Sequence, residues 1–196
     1  MPKTEPRIIT FDIETSNIFS EVGSSDPAAL DLAIIAIHDS KTNEFDSFLI
    51  HDLPRLWKIL EEADILVGYN SDHFDIPLLN KYYPGDLARI KSLDLLKEIH
   101  LSLGRRIKLD AVAEGTLGEN KSAHGLQSIK WWREGKVQEV RDYCIQDVAI
   151  TRKIFDYALK NKSLRYKELS KVKEVQLKTA DWLKVNTGAL THTLGV

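Results

Sequence analysis

The chain has 196 residues, 43% hydrophobic and 29% charged, with one cysteine and a formal net charge of −2. That length fits one globular domain with an appendage, and a lone Cys144 excludes a disulfide scaffold and favours a reducing, cytoplasmic location. The longest apolar run, residues 32–37, falls far short of the roughly 20 residues of a membrane helix, and the first seven residues lead into no apolar signal region, so neither a membrane span nor secretion is expected.

Residues 7–13 (Arg-Ile-Ile-Thr-Phe-Asp-Ile) are rich in β-branched side chains and predict a strand. Residues 32–38 predict a second, wholly apolar strand, and residues 44–50 a third, so a three-strand meander opens the fold. A helix over 54–63, with Pro54 near its start, leads to a strand over 64–68. A further helix is expected from about Asp75, with Pro77 tolerated in its first turn, and a short strand over 92–95 among weaker helical patterns. The strongest helix spans 137–159, with Val140, Cys144, Val148, Ile154 and Leu159 as its buried candidates. Strands first and helices around them predict an α/β fold with a mixed sheet.

Charge is distributed unevenly. Residues 1–75 carry 5 Lys/Arg against 15 Asp/Glu, and the remainder 22 against 14. Acid gathered at a cation site and base facing a polyanion would give this split, as would uneven surface helices. Residues 160–184 hold 8 Lys/Arg and 3 Asp/Glu with scattered apolar residues, which predicts an appended basic helix or helix pair. The expected organisation is therefore a domain over 1–160 and a basic helical extension over 161–196. That extension could grip a nucleic-acid backbone, dock a protein partner or another copy of the chain, or be a solvated surface.

Three short segments concentrate the chemistry. Phe11-Asp12-Ile13-Glu14-Thr15 sets two carboxylates two residues apart, on one face of a strand. Such a pair alone is most often a solvated edge, so other acids must converge on it to matter. Gly68-Tyr69-Asn70-Ser71-Asp72-His73-Phe74-Asp75 follows an apolar strand and precedes a helix, the place where α/β sheets bind ligands. Helix capping by Asp75 and a turn role for Asn70 are the ordinary alternatives, and His73 has no histidine at ligand spacing. In the strong helix, Tyr143-Cys144-Ile145-Gln146-Asp147 stacks a phenol and a carboxylate at i and i+4. If that helix packs on the sheet, four carboxylates meet. Repulsion would raise some of their pKa values unless a divalent cation intervened, and carboxylate oxygens suit Mg²⁺ and Mn²⁺, which points to metal-assisted phosphodiester hydrolysis.

Asp12-x-Glu14, Asn70-x-x-x-Phe74-Asp75 and Tyr143-x-x-x-Asp147 together resemble, in order and spacing, the three motifs of the DEDD 3′-to-5′ exonucleases, which have a ribonuclease H-like fold with a mixed β-sheet flanked by helices. The tyrosine matches the DEDDy branch, since the DEDDh branch would have a histidine where Asp142 stands. Gly68-Tyr69-Asn70 through Pro77 is most similar to the proofreading domain of family B DNA polymerases. The resemblance covers about residues 7–160 and does not reach the basic extension.

It implies two Mg²⁺ or Mn²⁺ ions held by Asp12, Glu14, Asp75 and Asp147, with Tyr143 orienting the attacking water. A phenol with a pKa near 10 suits positioning better than proton abstraction. It also implies contact of Thr15, Asn70 and Phe74 with the terminal nucleotide, Phe74 being equally suited to core packing. Asp94 and Asp110 are further acids whose ordinary uses are surface or cap. Trp131-Trp132-Arg133 invites base stacking but fits core filling better. The expected activity is 3′-to-5′ exonucleolytic release of nucleoside monophosphates from a single strand with a free 3′ end, DNA favoured over RNA. A catalytically silent binding or scaffold module of this fold and a metal-dependent endonuclease are the alternatives.

Overall fold

The computed structural model describes residues 5–119 and 125–185. Five strands, β1 (Ile8–Thr15), β2 (Leu32–Asp39), β3 (Glu44–Phe48), β4 (Ile65–Gly68) and β5 (Lys91–Asp94), form one sheet in the order β3-β2-β1-β4-β5. The opening meander pairs antiparallel, β1 with β2 and β2 with β3. β4 and β5 join the other side of β1 in parallel. The expected mixed α/β sheet is therefore present.

Both faces of this sheet are covered, which explains the uninterrupted apolar run of β2, buried along its whole length. Ile9, Phe11 and Ile13 of β1 point to one side, into a core shared with helices α2 (Leu53–Glu61) and α3 (Asp75–Asn80). Alternation then sends Asp12 and Glu14 to the other side, where α7 (Val137–Asn161) lies, with Val140, Cys144 and Val148 against Ile34 and Ala36 of β2. A short α1 (Phe19–Val22) follows β1, and α4 (Leu95–Leu103), α5 (Leu109–Leu117) and α6 (Gly125–Arg133) precede α7. Of the expected α7 core positions, Leu159 is only half-buried; Phe155 and Ala158 fill that end instead. Among the described residues no helix is long and apolar enough to cross a membrane.

The expected basic helix after residue 160 is not what forms. Residues 163–176 make a hairpin of β6 (Ser163–Glu168) and β7 (Lys171–Gln176). The physical reason is a period of two: Leu164 and Tyr166 on one strand and Val175 on the other are buried, with charged residues between them. These side chains, with Leu177 and Trp182, share one core with Ile65, Val67, Leu93 and the buried side of α4, α5 and α7. The hairpin presses so closely on α5 that a Cβ on Gly115 would lie 2.5 Å from the Tyr166 Cα. The part of the expected extension beyond residue 185 lies outside the described residues.

Candidate metal centre and catalytic cleft

The register of β1 against β4 builds the site. Thr10 stands opposite Val67, so β4 ends while β1 runs on through Asp12 and Glu14, and the chain leaving β4 turns beside them. Gly68 permits that turn, because a Cβ there would meet the Ser71 side chain at 2.5 Å. Asn70 takes a left-handed φ of 68°, which asparagine tolerates better than most residues. The pairing of β1 with β2 shifts register between Glu14 and Thr15, a local irregularity of the kind that re-aims side chains at active sites.

A cleft of about 310 Å³ opens at this end of the sheet, with Asp12, Glu14, Asp75, Tyr143 and Asp147 in its walls. Thr15, Tyr69, Asn70, Phe74 and Ile129 also line it. Carboxylate oxygens of Asp12, Glu14 and Asp147 lie within 4.8 Å of one another. At an effective dielectric near 20, two full charges 4 to 5 Å apart repel by roughly 3–4 kcal/mol. The neighbouring Cys144 senses the field: burial first, then Asp12, Glu14 and Asp147, push its thiol well above its ordinary pKa. Its Sγ–H points at the Asp12 carbonyl, 3.3 Å away.

Asp75 enters the cleft from the first turn of α3 and is not part of the tight triad, so three of the four expected carboxylates cluster closely and the fourth lines the same cleft. Phe74, not Asp75, occupies the N-cap position of α3. The Asp75 carboxyl is pushed up to about 8, chiefly by burial, then by the Asp94 and Glu14 charges, against the pull of the Asp75 and Ile13 backbone amides. An all-oxygen donor set of this kind fits a hard divalent cation, which would supply the missing positive charge.

Tyr143 sits one helical turn before Asp147 and is 5% exposed, its ring met edge-on by Trp131 at 6.2 Å between centroids. Trp131 and Trp132 pack against the α7 side of the sheet, so the core-filling use of this pair is the one observed. Phe74 serves two purposes: it lines the cleft and packs against the core with Phe19 edge-on at 6.1 Å. The Thr15 hydroxyl donates to the Asn17 carbonyl at 2.9 Å. His73 is exposed and outside the cleft.

Two contributors carry no local sequence signal, and a third, Asp94, does more than its expected cap. Ser128 of α6 donates its hydroxyl to Glu14 Oε2. Arg106, in the loop before α5, donates to the Asn70 side-chain oxygen. Asp94 caps α4, accepting from Leu96 N at 2.9 Å, and also accepts from Asn70 N at 2.8 Å and Asp72 N at 3.2 Å. The capping use of Asp94 is thus observed, with a second use beside it.

A larger depression of about 760 Å³ lies near Arg7, Lys41, Glu62 and Asp64, at the start of β1. Its charges largely pair among themselves, Arg7 with Asp39 at 2.6 Å and with Glu62, and Lys41 with Glu62 at 3.4 Å. Among the described residues it holds no convergent carboxylate group of the kind seen in the cleft.

Strand order, parallel register and an acidic cleft beyond β1 together define a ribonuclease H-like domain. The RNase_H_2 family, of the RNase_H superfamily, matches residues 9–159, and the chain belongs to that superfamily. Over 179 residues the chain is 27% identical to a DNA polymerase of Archaeoglobus fulgidus, covering 75% of this chain and 22% of the polymerase. The family B DNA polymerase of the archaeon Pyrobaculum calidifontis shares the fold over 79% of this chain and 24% of its own, with a TM-score of 0.59 and 21% identity. The chain thus spans under a quarter of either relative. Both are DNA polymerases and one is of family B, the group whose proofreading exonuclease domain the three motifs resemble. Ribonuclease H-like nucleases use divalent metals, and the triad of Asp12, Glu14 and Asp147 can bind one.

Proposed function

We propose that the chain is a metal-dependent 3′-to-5′ exonuclease of the DEDDy type, acting on a single-stranded 3′ end. The observation that carries this reading is the convergence of Asp12 and Glu14 from a strand with Asp147 from a helix, with Tyr143 one helical turn away in the same cleft. Similarity to DNA polymerases supports DNA as the favoured substrate.

Asp12, Glu14 and Asp147 would hold one ion, and Asp75 with Asp12 would serve a second. A metal held there would supply charge neutralisation and Lewis acidity toward a phosphodiester. The residues of the chain do the rest. Ser128 fixes the Glu14 carboxylate by donating its hydroxyl hydrogen to Oε2. Tyr143 orients the nucleophile through its hydroxyl, which can both donate and accept a hydrogen bond. Asn70, Phe74 and Thr15 wall the terminal nucleotide, with the Phe74 ring as a stacking face.

The test is a time course on 5′-labelled single-stranded DNA and RNA of one sequence, with Mn²⁺ or Mg²⁺ and with chelator, using Asp147→Ala as control. A ladder that shortens stepwise from the 3′ end, requires metal and vanishes in the variant is expected. Cutting that persists when the 3′ end is blocked would make the protein an endonuclease. No cleavage of any strand, with binding retained, would make it a silent module.

A further inference from the structure

The basic segment that the family match does not reach folds into the β6–β7 hairpin, whose apex carries an unusual group of side chains. Arg105 and Lys173 both pair with one carboxylate, Glu168, Arg105 at 2.6 Å, and Lys171 is its ladder partner. Among the described residues Lys171 makes no ion pair of its own. Tyr166 braces Arg105 from beneath, its hydroxyl 3.2 Å from the guanidinium and its ring centroid 5.4 Å away. The next residue, Arg106, reaches Asn70 in the cleft wall. Adjacent arginines thus connect the hairpin apex with the cleft.

The turn itself is atypical. Glu168 and Lys171 pair, so Leu169 and Ser170 form a two-residue loop, where Asn-Gly or Gly is usual. Leu169 instead holds a φ of 54°, in the left-handed region that favours glycine, and it is 93% exposed. Val172 beside it is 57% exposed. Neither backbone conformation nor burial accounts for an apolar side chain at that position, so the fold gains nothing from it.

We propose that this apex, formed by Arg105, Lys171, Lys173 and Leu169, grips the nucleic-acid strand 5′-ward of the terminal nucleotide held in the cleft. The cations face successive phosphates, and Leu169 lies against a base or sugar. Excess positive charge and continuity with the cleft favour a polyanionic strand over a protein partner. The inference rests on the exonuclease reading for which end of the strand sits in the cleft.

Binding in chelator, read by fluorescence anisotropy, tests the grip apart from cleavage. Wild type, Lys171→Glu/Lys173→Glu and Leu169→Ser are titrated with a tetranucleotide and a 20-nucleotide single strand at several salt concentrations. Lys58→Glu, on the exposed side of α2, is the control for a charge reversal away from the hairpin. The expected result is about a tenfold loss of affinity for the 20-mer in the double variant. The slope of log affinity against log salt should fall by about 1.4, at roughly 0.7 per single-strand phosphate contact. Leu169→Ser should lose affinity without changing the slope, and Lys58→Glu should match wild type. Equal 20-mer affinity in wild type and the double variant overturns the proposal. So does a Leu169→Ser variant that keeps nucleic-acid affinity but loses concentration-dependent self-association, which would make the apex a protein contact. A 20-mer bound through the apex but never cut with metal would sink the exonuclease reading alone. A 20-mer cut normally with apex-independent affinity would sink the grip alone.

Discussion

The Asp94 carboxylate accepts the backbone N–H of Asn70 at 2.8 Å while capping α4, so one buried side chain ties the end of β5, the cleft loop and a helix together. Burial raises its pKa, and the amides of Asn70, Lys97 and Asp72 oppose that rise. Asp94→Ala should therefore cost about 3 kcal/mol in urea unfolding, the sum of a lost cap and stranded amides. Asp94→Asn, which keeps an acceptor oxygen, should recover most of it. Hydrogen exchange gives the local readout. The Asn70 and Asp72 amides should lose protection in Asp94→Ala, and unchanged protection there would show that the loop is held by other means.

Removing a carboxylate from the triad should relieve repulsion in the absence of metal. Asp12→Asn and Asp147→Asn are each expected to match or exceed the stability of wild type in chelator. Mg²⁺ or Mn²⁺ should then stabilise wild type by about 2.7 kcal/mol at a hundredfold excess over Kd, and should do so far less in either variant. Thermal unfolding with and without metal makes the comparison. Equal metal stabilisation in wild type and both variants would move the ion elsewhere.

The part of the site that was legible in the sequence was local. Asp12 and Glu14 share a face because a strand repeats every two residues, and Tyr143 and Asp147 share one because a helix returns after four. What stayed hidden joins residues far apart in the chain: Ser128 with Glu14, Arg106 with Asn70, Asp94 with Asn70. No periodicity encodes such a pairing. Asp75 was legible as a candidate, but not its place in the cleft wall outside the triad, which depends on how α3 leaves the Gly68 turn. The hairpin is hidden for a different reason: its lysines suggest a solvated helix and mask the alternation of Leu164 and Tyr166 that marks a half-buried strand.

His38 of β2 is 2% exposed, with Asn43 Oδ1 3.1 Å from Nε2 and the Arg152 guanidinium 3.0 Å from Nδ1. These partners suit a neutral ring protonated on Nε2. Burial above all lowers its pKa; Asn43 opposes this, Arg152 adds to it, and Asp156 and Asp39 oppose it. A histidine with a folded pKa below its unfolded value near 6.5 lets the unfolded chain take up the proton first. Its contribution is therefore complete above that unfolded value and is lost as pH falls below it. Asp75 acts in the opposite sense. With its pKa pushed up to about 8, it makes the metal-free fold less stable as pH rises from about 4 to 8. The His38 contribution is isolated by difference: between pH 7 and 5.5 wild type should lose more stability than His38→Gln in urea unfolding. Parallel pH profiles for the two proteins would show that His38 titrates alike in the folded and unfolded chain.

Gly115 decides whether the hairpin is clamped to the domain. On an ordinary helix, replacing an interior glycine by alanine gains roughly 1 kcal/mol. Here the new Cβ would meet the Tyr166 backbone at 2.5 Å, with backbone rather than a movable side chain in the way. The next residue, Thr116, accepts from Arg165 N at 2.9 Å and donates to Arg165 O at 2.6 Å, so β6 cannot shift without losing both bonds. Gly115→Ala is therefore expected to destabilise the protein by about 2 kcal/mol, the usual cost of overpacking offsetting the helix gain. Trp182 reports the same event, because it stacks on Phe155 of α7 at 6.0 Å and joins the core that β6 and β7 complete. Its fluorescence should shift to the red in Gly115→Ala under native conditions. A neutral or stabilised variant with unchanged Trp182 emission would mean that the hairpin moves away from α5 at no cost, and a hairpin so loosely held could not present its apex to a strand in the cleft.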